Sequence, residues 1–200
     1  MNRPCLDHAI LSYMVPSRFL AGMMVVAILT GNATWSSAHA QGAAQPGQAS
    51  SGVPEAPIGH RQPNARDVPA DRAADFVLGY TCANDVTAHD WRDDGQWTRA
   101  KSADTFCPMG PWIETDIANP SALRITTRLG GQVVQEGSTS DMVFGIGELL
   151  AFVTRWITLE PGDVLLTGSP AGVGPMAPGD IVEVEISGIG TLRNTVADRG

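Results

Sequence analysis

Gly79-Tyr80-Thr81-Cys82-Ala83-Asn84-Asp85-Val86-Thr87-Ala88 is the stretch on which the fold of this chain turns. Its first half is small, aromatic and β-branched, the composition of a strand, and Asn84-Asp85 is a pair that stops one. A strand end is a usual place to present a reactive side chain, which makes Asp85 the first candidate site residue. On its N-terminal side, Pro69 to Val77 has the acidic and alanine content of a short helix. On its C-terminal side a second helix is predicted, capped by Thr139, Ser140 or Asp141. Met142, Ile146, Leu149, Leu150, Val153 and Ile157 there repeat at three- and four-residue spacing.

Between and beyond these the punctuation is that of strands and tight turns. Leu123 to Thr127 and Gln132 to Gln135 read as a hairpin around Gly130-Gly131. Glu160-Pro161-Gly162-Asp163 leads into Val164-Leu165-Leu166, and Ala177-Pro178-Gly179-Asp180 leads into Ile181 to Ile186. Glu183 and Glu185 alternate with Val182, Val184 and Ile186, so they read as the solvated face of a half-buried strand and not as a metal pair. The sum is an α+β domain, mainly β, with two helices and a curled, barrel-like sheet.

With 200 residues and 43% hydrophobic content the chain can bury one real core. A net charge of −8 disfavours a nucleic-acid surface, which needs clustered Lys and Arg, and points to a small-molecule partner instead. Residues 1–40 read as a leader: Arg18, an apolar run from Phe19 to Leu29, then Ala38-His39-Ala40 before Gln41. That run is about half of the roughly 20 residues a helix needs to cross a bilayer, so no permanent span is expected. Export to the periplasm follows if the leader is genuine, and a cytoplasmic protein if the segment is an upstream frame joined to the domain. Residues 41–65, rich in Gly, Ala, Pro, Gln and Ser, read as a linker. Cys5 would leave with the leader, and Cys82 and Cys107 are expected as buried thiols. No Cys-x-x-Cys or paired His supports zinc.

Taken together, Gly79 to Ala88, Gln96 to Ser102, Asp104 to Pro111, Thr139-Ser140-Asp141-Met142, Thr158 to Asp163, Thr167 to Gly174 and Gly188 to Leu192 resemble the fumarylacetoacetate hydrolase family, in the family's order. The likeness runs from about Arg66 to Val196, within a domain taken as 66–200. It implies a mixed β-roll with the site at one mouth. It also implies hydrolysis, decarboxylation or isomerisation of acylpyruvate-like or 2-oxo-dienoate acids with Mg²⁺ or Mn²⁺, and a homodimer.

By that resemblance Asp85 is the metal-binding aspartate, and Lys101 the lysine beside the metal that stabilises charge on a substrate or enolate oxygen. Ser169, with Gly168, stands where relatives carry Thr and would bind the substrate carboxylate. The run is no P-loop, since no Gly-Lys-Ser/Thr follows. His89 replaces the arginine of the family motif, trading a bidentate fork for a shorter, mostly neutral ring. Asp141 is assigned to helix capping. Relatives supply two further glutamates, two residues apart, on a strand before the Gly-Tyr-Thr segment, yet residues 41–80 hold only Glu55, Asp67, Asp71 and Asp75. Weak or absent metal binding is the expectation, with Glu55 and His60 as the only nearby substitutes. The alternative to an enzyme is an inactive remnant or an exported module that binds a small acid.

Overall fold

The structure is a computed structural model that describes residues 64–93 and 95–197, together with the backbone of Phe19–Ala21 and Met23–Leu29. The linker up to residue 63, Cys5, Glu55 and His60 lie outside the described residues. In chain order the elements are β1 (Phe19–Ala21), β2 (Met23–Leu29), β3 (Val77–Asn84), β4 (Thr87–Ala88), α1 (His89–Arg92), α2 (Trp97–Lys101), β5 (Met109–Glu114), β6 (Arg124–Leu129), β7 (Gln132–Ser138), α3 (Ile146–Thr154), β8 (Val164–Leu166), β9 (Gly174–Met176), β10 (Ile181–Ile186) and β11 (Gly190–Thr195), with 3-10 turns at Ala70–Phe76, Pro120–Ala122 and Thr139–Asp141.

Three sheets are formed, ordered β11-β10-β6-β7, β5-β3-β2-β8 and β4-β1-β9. The apolar run that reads as the heart of a leader thus supplies β1 and β2, each an interior strand of its sheet. The main core lies where β10, β11 and β6 face β3. Val182, Val184 and Ile186 on one face of β10 are at most 2% exposed, and they pack with Ile125, Leu192, Ile189 and Cys82. Each such side chain contributes roughly 1.5–3 kcal/mol by leaving water. The opposite face of β10 is polar, as its alternation predicts: Glu185 pairs with Arg128 at 2.7 Å and Glu183 with Arg193 at 3.3 Å.

A smaller core of Ala65, Val68, Ala73 and Leu150 joins α3 to the 3-10 turn at Ala70–Phe76. Approach is close there, since a Cβ on Gly147 would strike the Ala70 carbonyl. The single helix expected from residue 139 onward is in fact two pieces. Ser138 and Asp141 close a capping box around Thr139–Asp141, Met142 turns extended at ψ 130°, and α3 starts afresh after Gly145, whose N–H donates to Glu148 Oε2 at 2.8 Å. The short segment after Pro69 is 3-10 rather than α. The hairpin forms as β6 and β7, and the two Pro-Gly turns lead into β8 and β10 as expected.

Candidate active site

At the end of β3 the chain turns sharply: Val86 N–H donates to the Asn84 carbonyl at 2.9 Å, and the Thr87 hydroxyl to the Asp85 carbonyl at 3.3 Å. Lys101, the last residue of α2, directs its ammonium at this turn. It forms an ion pair with Asp85 Oδ2 and donates to Thr87 Oγ1 at 3.1 Å. The lysine side chain is 34% exposed and the aspartate 17%, so the pair is partly shielded and one side of it meets solvent.

Trp97, one turn before Lys101, lies 5.8 Å from the ammonium, and on the same ring Arg92 Cζ sits at 5.6 Å. Arg92 Nη1 in turn meets His89 Nε2 at 3.4 Å. His89 therefore joins the pair only through Arg92 and Trp97. Cys107 is half-buried in the loop before β5. Burial pushes its thiol up from the ordinary range, Asp85 adds to that and Lys101 opposes it. Both described cysteines are free, Cys82 buried as expected and Cys107 only partly so.

Gly168 and Ser169 lie between β8 and β9 and line a separate cavity of about 530 Å³ with Glu136, Ser138, Asp141 and Phe144. Its wall includes neither Asp85 nor Lys101, so this is not one pocket holding all the candidates. The loop is fixed from below by Gln135 of β7, 1% exposed, whose Nε2 donates to the Pro170 carbonyl at 2.9 Å. Gly172 takes φ +104° where a Cβ would collide with the Val134 carbonyl. Asp141 accepts from the Ser138 N–H at 2.8 Å, the capping role its sequence position predicts.

Strand register shows how the two halves relate. Met23 lies opposite Asn84 and Leu20 opposite Thr87, while on their other sides Val26 faces Leu166 and Ala21 faces Gly174. The Asp85 turn and the Gly168–Ser169 loop thus flank the place where β1 gives way to β2. A carboxylate there would serve both halves, yet Phe19 to Leu29 contains no acidic residue.

Among the described residues no cluster of three or more His, Cys, Asp or Glu side chains could hold a metal ion. A hard dication wants several oxygen ligands and is repelled by an adjacent ammonium. The described residues therefore do not fit the Mg²⁺ or Mn²⁺ that the resemblance implies.

Thr87, Trp97, Arg92 and Gln135 were not identified as site residues by sequence. Thr87 carried a usable signal, since it follows Asp85 by two and shares its side of an extended chain. Gln135 looked like an ordinary hairpin position; only packing shows that it is buried. Among the described residues, no helix is long and apolar enough to cross a membrane.

A family model described as fumarylacetoacetate (FAA) hydrolase C-terminal matches residues 56–197. An uncharacterized protein of Archaeoglobus fulgidus is 56% identical over 133 residues, 66% of this chain and 53% of that one. The mitochondrial oxaloacetate tautomerase Fahd2a of Rattus norvegicus is 44% identical over 132 residues, 60% of this chain and 42% of the relative. This chain thus spans about half the length of the curated relatives it matches. Among solved structures, 5-carboxymethyl-2-hydroxymuconate delta-isomerase from Mycobacterium smegmatis superposes with TM-score 0.75 at 37% identity, over 94% of this chain and 64% of that one. Maleylpyruvate hydrolase from Sphingobium sp. SYK-6, solved with manganese(II) and pyruvate, superposes with TM-score 0.73 at 25% identity, over 94% and 60%.

Proposed function

The chain belongs to the fumarylacetoacetate hydrolase family, and from that premise we propose that it acts on a small 2-oxo acid by moving a proton between carbon and the 2-oxo oxygen. The family includes enzymes named as isomerases, a hydrolase and tautomerases, all with small-molecule substrates. Proton transfer is the member of that set that the present residues serve best. The observation that carries it is the direct contact of Lys101 with both Asp85 and Thr87 at the end of β3.

Enolisation needs a cation at the carbonyl oxygen and a base near the adjacent C–H. The Lys101 ammonium donates to the 2-oxo oxygen, and the Asp85 carboxylate takes the proton from the neighbouring carbon. As that C–H bond breaks, its electron pair forms the C=C bond and the carbonyl π pair moves to oxygen, which accepts a proton from Lys101. The Asp85–Lys101 hydrogen bond then returns the proton from carboxyl to amine, and both groups are restored. C–C hydrolysis would in addition require an activated water, and His89, the one histidine among the described residues, is held by Arg92.

Ketonisation of enol-oxaloacetate, followed by loss of its ultraviolet absorbance, tests the proposal. The wild-type chain is expected to exceed the buffer rate, and Lys101→Met to lose about 100-fold or more of that excess. A wild-type rate equal to buffer sinks it. The second reading is a module that holds a small acid without turning it over, favoured by the lack of acidic residues in β1 and β2.

A further inference from the structure

A lysine ammonium has three N–H donors. Among the described residues two of those on Lys101 are used, one by Asp85 and one by Thr87, which leaves a third donor. The Trp97 ring lies beside the same ammonium, so the charge is held in place by a carboxylate, a hydroxyl and an aromatic face. The strands on the far side of the Asp85 turn offer Met23 and Leu20 at the register positions opposite Asn84 and Thr87. Asp85 is thereby the single carboxylate of the turn, and an ammonium already occupies it.

We infer that the Lys101 ammonium is the working cation of this site, and that a 2-oxo acid binds at Asp85, Thr87 and Lys101 without a divalent metal. This rests on the reading that the site takes a 2-oxo acid, but its test needs no turnover. The ammonium supplies the positive charge that an enolate oxygen requires, and Asp85 and Thr87 aim it. One positive charge balanced by one carboxylate also suits a substrate that brings its own negative charge, whereas a dication would need carboxylates that the flanking strands do not carry.

The probe is oxalate, a planar dianion with the shape and charge of an enolised 2-oxo acid. Its binding to the full chain is measured by calorimetry in chelator and again with Mn²⁺, beside a titration of Mn²⁺ alone followed by electron paramagnetic resonance. Oxalate is expected to bind equally within about twofold in both media, with Mn²⁺ alone unbound below millimolar concentration. Lys101→Met should weaken oxalate by about tenfold or more, while Lys101→Arg, which keeps the charge, should recover part of the loss. Saturable micromolar Mn²⁺ binding that disappears in Asp85→Asn overturns the inference. So does oxalate binding that needs Mn²⁺, or no oxalate binding in either medium. Oxalate bound in chelator without ketonisation leaves this inference standing and removes the proposed reaction; ketonisation only with Mn²⁺ does the reverse.

Discussion

Asp85 and Lys101 are separated by fifteen intervening residues yet form a hydrogen-bonded ion pair, because β4, α1 and α2 fold the chain back on the β3 turn. The pair is partly exposed, so its worth to stability is small, about 0–1 kcal/mol. Asp85→Asn should therefore keep the melting temperature within a few degrees while cutting ketonisation by about 100-fold or more, measured by scanning calorimetry and the absorbance assay. Cys82 behaves differently. Its burial beneath β11 pushes the thiol up to about 11 from 9.0. The folded state then holds a proton that the unfolded chain releases. Stability is full below the unfolded value and falls as pH rises from about 9 towards 11. Thermal melts should show an alkaline loss on the order of 2 kcal/mol, absent in Cys82→Ala once that variant's own lower baseline is subtracted.

At the level of elements, β1 and β2 carry the sharpest tension. The run Phe19 to Leu29 is apolar enough for a leader, and its segments Phe19–Ala21 and Met23–Leu29 are also interior strands. Both uses cannot be made by one molecule, since removing the leader would leave β3 and β8 with unpaired edges. A chain beginning at Gln41 should lose cooperative melting or aggregate in light scattering. A cooperative melt at the full-length temperature would mean that the sheet does not depend on them. The Gly168–Ser169 loop is anchored at Gly172, and Gly172→Ala should cost about 1–3 kcal/mol from backbone strain and collision with Val134. Its effect should appear as a lower midpoint in chemical denaturation. The α3 region shows why a helix boundary escaped the sequence: apolar spacing continued through Met142, but the Ser138–Asp141 box and the extended backbone at Met142 and Gly145 broke it.

Among the described residues large apolar side chains remain exposed, notably Trp112 on the edge strand β5, Phe152 on α3 and Trp156 in the turn that follows it. Self-association is the expected consequence, in line with the homodimer that the resemblance implies. Sedimentation velocity should show mass rising with concentration, and Trp112→Ser with Trp156→Ser should return a monomer. The sequence by itself determined the strand-rich class, the β6–β7 hairpin, the polar face of β10 and the capping role of Asp141, while Asp85, Lys101 and Ser169 became candidates through the family resemblance. Those follow from local periodicity, turn chemistry and ordered motifs, which are written within a few residues of one another. Only the tertiary structure decided that Lys101 reaches Asp85, that Ser169 lines a different cavity, that Gln135 braces its loop and that strands without a single acid flank the site. Each of these is set by strand order and register, which join residues far apart in the chain, and no local pattern encodes which strand will lie beside which.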